Sequence, residues 1–195
     1  DKGPIYVNLC LKDPHTPLNP TEEQRKPYKG IEPPDKETYY AVLTDADYHI
    51  GRLLKALEEM GLEKNTLVIF SSDNGPATGG PSAIAGSTAG LKGRKFSLFE
   101  GGVAVPFIVR WPGHVDAGKT DSLSVMCTVD LIPTFCELAG KQLPGDYEPD
   151  GESFASIFDN TFFKRTKPIF WEWKYPTYRS DRPNSWVYLA VRSGE

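Results

Sequence analysis

At 195 residues, with 26 acidic against 22 basic side chains, the chain has a formal charge of −4, which excludes a general electrostatic attraction for nucleic acid or an anionic membrane. The length suffices for one ordinary domain with a real core, or for part of a larger one. The three cysteines, Cys10, Cys127 and Cys136, are odd in number and lack metal-ligand spacing, so they read as buried structural thiols and not as a disulfide framework or a zinc site.

Ile5–Leu11 (IYVNLCL) reads as a buried strand that runs into the Pro-rich loop KDPHTPLNP. Residues 19–37 are polar, proline-rich and aperiodic, which predicts a loop. From Thr38 to Met60 the apolar positions Tyr39, Val42 or Leu43, Ala46, Ile50, Leu53, Leu57 and Met60 recur every three or four residues, which predicts a helix, and Gly61 stands where a left-handed cap belongs. Thr66–Ser72 (TLVIFSS) is a nearly continuous apolar run, as expected of an inner strand of a parallel sheet. Helix, short link and buried strand together predict an α/β fold.

Phe107–Trp111 (FIVRW) is the next expected strand, with Pro106 at its start. Val129–Gly140 predicts a helix that tolerates Pro133 in its first turn, and Ser153–Phe158 predicts a short one. Pro168–Trp173 and Trp186–Arg192 are aromatic strands expected to pair antiparallel in a smaller sheet. The chain opens on Asp-Lys-Gly, so nothing follows about a targeting segment, and no run has the character of a membrane span. Strands expected at both extremities suggest a piece of a larger protein, with a boundary between residues 1–163 and 164–195. An isolated piece of such a sheet would expose apolar edges.

The stretch SSDNGPATGGPSAIAGSTAGLKGRK, residues 71–95, holds the densest chemistry. Asn-Gly is a favoured hairpin turn, but no alternating strand follows it. Asp73 and Asn74 read better as ligand-facing residues at the carboxyl end of a sheet strand. A carboxylate beside an amide carbonyl offers hard oxygens suited to Ca²⁺ or Mg²⁺, though two residues cannot complete such a site. Lys92, Arg94 and Lys95 do not form a nucleotide-binding P-loop. They form either a solvated basic loop or a cationic grip on sulfate or phosphate. His15, held between Pro14 and Pro17, could protonate a leaving group; His49 and His114 read as structural or surface residues. Trp171, Trp173, Tyr175, Tyr178 and Trp186 could stack a sugar, with core packing of a small sheet as the plainer use.

Strand–PHTP, strand–SSDNG and LKGRKFSLFEGG…PFIVRWPG, in that order, resemble the sulfatase family, and the resemblance runs through essentially the whole chain. It implies an alkaline-phosphatase-like α/β domain followed by the start of a small antiparallel carboxyl-terminal sheet, and hydrolysis of a sulfate ester on a small molecule or carbohydrate. It further implies that Asp73 and Asn74 ligate a Ca²⁺ beneath the sulfate. Lys95, five residues before Glu100, would grip the sulfate, and His15 would contact it and assist the leaving group. The family's formylglycine nucleophile arises from Cys or Ser in a C-x-P/A-S/x-R segment, and none of the three cysteines lies in one, so the chain would carry part of an active site. The aspartate pair that completes the family's metal site has no counterpart here, and Ala104 stands where an arginine is common. The family is expected in periplasmic, secreted or lysosomal settings. A phosphate or phosphonate monoester hydrolase of the same superfamily, or a non-catalytic relative binding anionic sugar, are the rival readings.

Overall fold

A computed structural model describes residues 3–173 and 188–194. Tyr175, Tyr178 and Trp186 of the expected aromatic cluster lie outside the described residues. So does the beginning of the expected last strand.

Among the described residues four short strands make two antiparallel pairs. The first pair, β1 (Val68–Ser71) and β2 (Phe107–Arg110), sets Phe70 opposite Ile108 and Ile69 opposite Val109. The parallel neighbour expected for β1 is not among the described strands. Ile5–Leu11 forms no strand either, because a strand exists through its ladder and this segment has no ladder partner among the described residues. Ile5 is 80 % exposed, and Tyr6 meets the structure through the ring of Phe135, 5.5 Å away. The second pair, β3 (Ile169–Glu172) and β4 (Leu189–Arg192), is the expected antiparallel sheet.

Residues 19–37, expected as loop, contain structure. Helix α1 (Glu22–Arg25) starts at a capping box: the Thr21 hydroxyl accepts from the Gln24 N–H, and the Gln24 side chain accepts from the Thr21 N–H. Helix α2 (Pro34–Glu59) begins four residues before the predicted Thr38, since Pro34 at its first position needs no hydrogen-bond donor there. Its end is as expected. Gly61 has φ +68, its N–H reaches Glu58 O and the Leu62 N–H reaches Leu57 O, a Schellman cap. The face that packs is centred on Ala41 and Val42, while Leu43, Leu53 and Met60 are partly exposed.

Short helices α3 (Pro81–Ala85) and α4 (Glu100–Val103) interrupt the long loop between β1 and β2. Helix α5 (Leu131–Leu138) has Pro133 in its first turn and closes on Gly140, φ +62, with a second Schellman cap. The short helix expected at 153–158 is a 3₁₀ turn over Ala155–Asp159, ended by Asn160 in the left-handed region.

The core gathers where α5, the 3₁₀ turn and one face of β2 meet. Phe154, Phe158 and Phe163 are its buried centre. Phe107 meets Phe154 edge-on at 5.8 Å and Trp111 meets Phe158 at 5.6 Å, the geometry that ring quadrupoles favour. Phe107, Val109 and Trp111 point the same way because strand side chains alternate. That alternation leaves Ile108 on the opposite, exposed face beside Phe70.

Below this core lies a polar clasp. Asp130, fully buried, accepts from the N–H groups of Cys127 and Glu152 and pairs with the Arg165 guanidinium. Arg165 also donates to the carbonyls of Val125 and Lys167. Thr134 donates to Asp130 O at 2.7 Å and accepts from the Phe154 N–H at 3.0 Å. Partial burial pushes the Glu152 carboxyl upward, but hydrogen bonds from Thr166 and Lys167, with Arg165 nearby, outweigh it and hold the group below its ordinary range. The clasp fixes the segment that leads into β3 onto the amino end of α5.

Candidate active site

β1 ends at Ser71, and Asp73-Asn74-Gly75 leaves its carboxyl end. The Ser72 hydroxyl donates to Asn74 O at 3.0 Å, and the Asn74 amide nitrogen donates to Gly75 O at 3.1 Å, so the amide oxygen is the acceptor left on that side chain. Asp73 is exposed, and no protein group among the described residues hydrogen-bonds its carboxylate. Two hard oxygen donors thus stand side by side at one strand end, the donor type that Ca²⁺ takes but only part of the roughly six to eight it needs. Among the described residues no group of three or more His, Cys, Asp or Glu side chains gathers to complete a metal site.

The turn is pinned by backbone contact. The Gly75 N–H donates to Gly102 O at 2.9 Å, the Lys95 N–H to Pro76 O at 3.0 Å, and the Gly101 N–H to Lys92 O at 2.7 Å. Three chain segments therefore meet at van der Waals distance, and glycine is what allows it. A Cβ on Gly75 would lie 1.9 Å from Gly101 O, and one on Gly101 would lie 2.3 Å from Gly93 O. Gly75→Ala is expected to force the strand end and the lysine loop apart and to cost about 1–3 kcal/mol by overpacking. Thermal unfolding beside wild type reads this directly, and an unchanged melting temperature would refute the close packing.

The three cations of LKGRK divide their duties. Arg94 is a clasp: its guanidinium donates to the carbonyls of Ala77, Ser82 and Gly86 at 3.0–3.4 Å. A planar fork suits that task and a lysine does not. Beside it, Tyr39 of α2 has its hydroxyl pushed above the ordinary range by burial, partly offset by Arg94. Lys92 lies over the Phe99 ring, 4.1 Å from its centre, and Lys95 lies 5.7 Å from the centre of the Phe96 ring. Among the described residues no carboxylate pairs with the Lys95 ammonium.

His15 is exposed; its Nδ1 lies 2.8 Å from Thr16 O, and its N–H donates to Lys12 O. Its loop reaches the loop after β1 at Gly80, where a Cβ would lie 3.7 Å from Thr16 Cγ2. The structure therefore joins Asp73, Asn74 and Lys95 through one glycine-packed unit and sets the His15 loop against the Gly80 end of it. No hydrogen bond or ion pair among the described residues links these four side chains directly. His49 lies on the exposed side of α2, 3.7 Å from Asp45, and His114 stacks on Trp111 at 3.9 Å. Neither belongs to this site.

Two further features were not anticipated. Glu100 of α4 pairs with Arg192 of β4 at 3.4 Å, and Phe96 meets Trp173 at 6.2 Å. Both tie the small sheet to the lysine loop, across a sequence distance that no local pattern reports.

A family model described as Sulfatase matches residues 1–141. The chain belongs to the sulfatase family. A sulfatase of Formosa agariphila is 33 % identical over 194 residues, covering 92 % of this chain and 34 % of that protein. The N-acetylgalactosamine-6-sulfatase of Rattus norvegicus is 37 % identical over 150 residues, covering 77 % of this chain and 27 % of that protein. Among solved structures, Ps i-CgsB in complex with k-i-k-neocarrahexaose superposes with a TM-score of 0.78 at 31 % identity, over 93 % of this chain and 38 % of that one. This sulfatase chain thus spans about a third of the length of the relatives it matches, and its fold is that of a partial alkaline-phosphatase-like α/β domain.

Proposed function

We propose that this chain forms the sulfate-binding side of a sulfate-ester hydrolase acting on a sulfated carbohydrate. The observation that carries it is the Lys95 ammonium, which no carboxylate pairs with among the described residues, on a segment whose backbone is bonded to the loop leaving Asp73-Asn74. In this reading Asp73 and Asn74 hold a Ca²⁺, Lys95 holds the sulfuryl oxygens, and His15 gives a proton to the departing sugar oxygen. The bound cation would neutralise charge on the sulfuryl oxygens. Lys95 adds a fixed positive charge where negative charge builds, and a group already in place need not reorganise during the reaction.

The 195 residues contain no C-x-P/A-S/x-R segment, and in this reading the formylglycine nucleophile and the remaining metal ligands would come from residues outside them. The division at 163/164, between the α/β part and the small sheet, is part of the same reading. Support for a carbohydrate substrate comes from the rat relative, named for N-acetylgalactosamine 6-sulfate, and from the solved structure holding neocarrahexaose.

The test is hydrolysis by the complete enzyme of matched sulfate and phosphate esters, before and after a chelator. Sulfate-ester cleavage that is lost on chelation and restored by Ca²⁺ is expected. Faster phosphate release would move the protein to the phosphohydrolases, and an absence of turnover on either ester would make it a binding protein.

A further inference from the structure

Phe96 has φ +74. A bulky side chain in the left-handed region is an outlier that surrounding structure must hold in place, and such strain concentrates at functional sites. The same loop also has Ala89 with φ +53, Gly90 with φ +85 and Gly93 with φ +90. At residue 96 it carries a phenyl ring. That ring adjoins Lys95 and meets the Trp173 indole at 6.2 Å with a 34° tilt.

Trp173 follows β3 directly, and its N–H donates to Tyr188 O at 2.9 Å, extending the ladder by one bond. The Glu100–Arg192 pair ties the partner strand to α4, which follows the lysine loop. Trp173 is therefore presented to Phe96, the residue next to Lys95, by the small sheet, and it keeps 39 % of its surface exposed. A residue used only to fill that sheet's core would bury more of it.

We infer that Phe96 and Trp173 form an aromatic wall that packs against the pyranose ring carrying the sulfate. The inference rests on the sulfatase reading and deepens it. One face of a pyranose presents C–H bonds and packs on aromatic rings, and the wall stands beside the one cation of the loop's three that neither clasps the backbone nor lies over Phe99. A ring laid on the wall would direct an attached sulfate toward the Lys95 ammonium. The wall selects for a sugar; the ammonium selects for the anion.

The probes are inorganic sulfate and the 2-, 4- and 6-sulfates of galactose, titrated into the protein by calorimetry in calcium-containing buffer. Trp173→Ala is expected to weaken the best-bound sugar sulfate about tenfold while leaving inorganic sulfate within about twofold, an effect of the size aromatic contacts give. Trp173→Phe should restore most of the difference. Phe96→Gly, which removes both the ring and the strained backbone, should lose the same preference without lowering the melting temperature. Equal weakening of sulfate and sugar sulfates would mean that Trp173 only positions the lysine loop, and would overturn the wall. No change in either would overturn it as well. If wild type prefers a sugar sulfate and Lys95→Ala leaves sulfate affinity intact, the sulfatase reading of Lys95 fails while the wall stands. If wild type binds none of the probes, both fail.

Discussion

Lys95→Ala is expected to lower kcat for sulfate-ester hydrolysis by the complete enzyme about 10²–10³-fold, the scale on which removing one preorganised charge-stabilising donor acts. The reason lies in how the three neighbouring cations are used. Arg94 donates to three carbonyls through both terminal nitrogens. Lys92 lies over Phe99. Lys95 has its backbone fixed by Pro76 and an ammonium without a carboxylate partner among the described residues, so its charge is free to act on a substrate anion. Lys92→Ala should leave kcat within a few-fold. Because the Lys95 backbone bond survives truncation, the melting temperature should stay near wild type, and inhibition by inorganic sulfate should weaken in step with the loss of activity. Activity within a few-fold of wild type would remove Lys95 from the mechanism.

Asp130→Ala is expected to destabilise the protein by about 3–5 kcal/mol, the cost of leaving one member of a buried ion pair without its partner. Asp130 is 0 % exposed, and the Arg165 side chain is 2 % exposed. Removing the carboxylate strands that guanidinium and leaves the Cys127 and Glu152 N–H groups without their acceptor. Urea denaturation of the single variants and of Asp130→Ala with Arg165→Leu distinguishes the pair from its surroundings. The double variant should recover much of the loss, since a buried pair exchanged for apolar groups is often near neutral. A loss below about 1 kcal/mol in the single variant would show that water reaches the clasp.

Much of the helical architecture was legible because helices are local. The three- and four-residue spacing of Tyr39 to Met60 and the glycine at 61 predicted α2 and its cap, which closes within a few residues, and Gly140 marked the end of α5. The missed α1 also had a local signal: Thr21 and Gln24 are spaced as a capping box. The start of α2 was misplaced because Pro33 and Pro34 read as breakers, although proline suits a first turn. The β1–β2 pairing was not legible. Its register joins residues some forty apart, and an apolar run does not state which way its neighbour runs. Ile5–Leu11 failed as a strand for the same reason, since propensity supplies no ladder.

The candidate site divides along the same line. The sequence by itself determined the chemical inventory: hard oxygens at Asp73 and Asn74, an imidazole between prolines at His15, and a cationic triplet at 92–95. It also determined the family, through motifs whose order and composition survive without coordinates. Packing alone settles which cation is a clasp and which has no carboxylate partner among the described residues, because that depends on where the carbonyls of Ala77, Ser82 and Gly86 lie. Only the tertiary structure set Gly75 against Gly101 and brought Trp173 to Phe96, contacts between segments far apart in the chain. Side-chain chemistry is local and can be read in order along a sequence; the position of one group relative to another is fixed by packing, which the order of residues does not state.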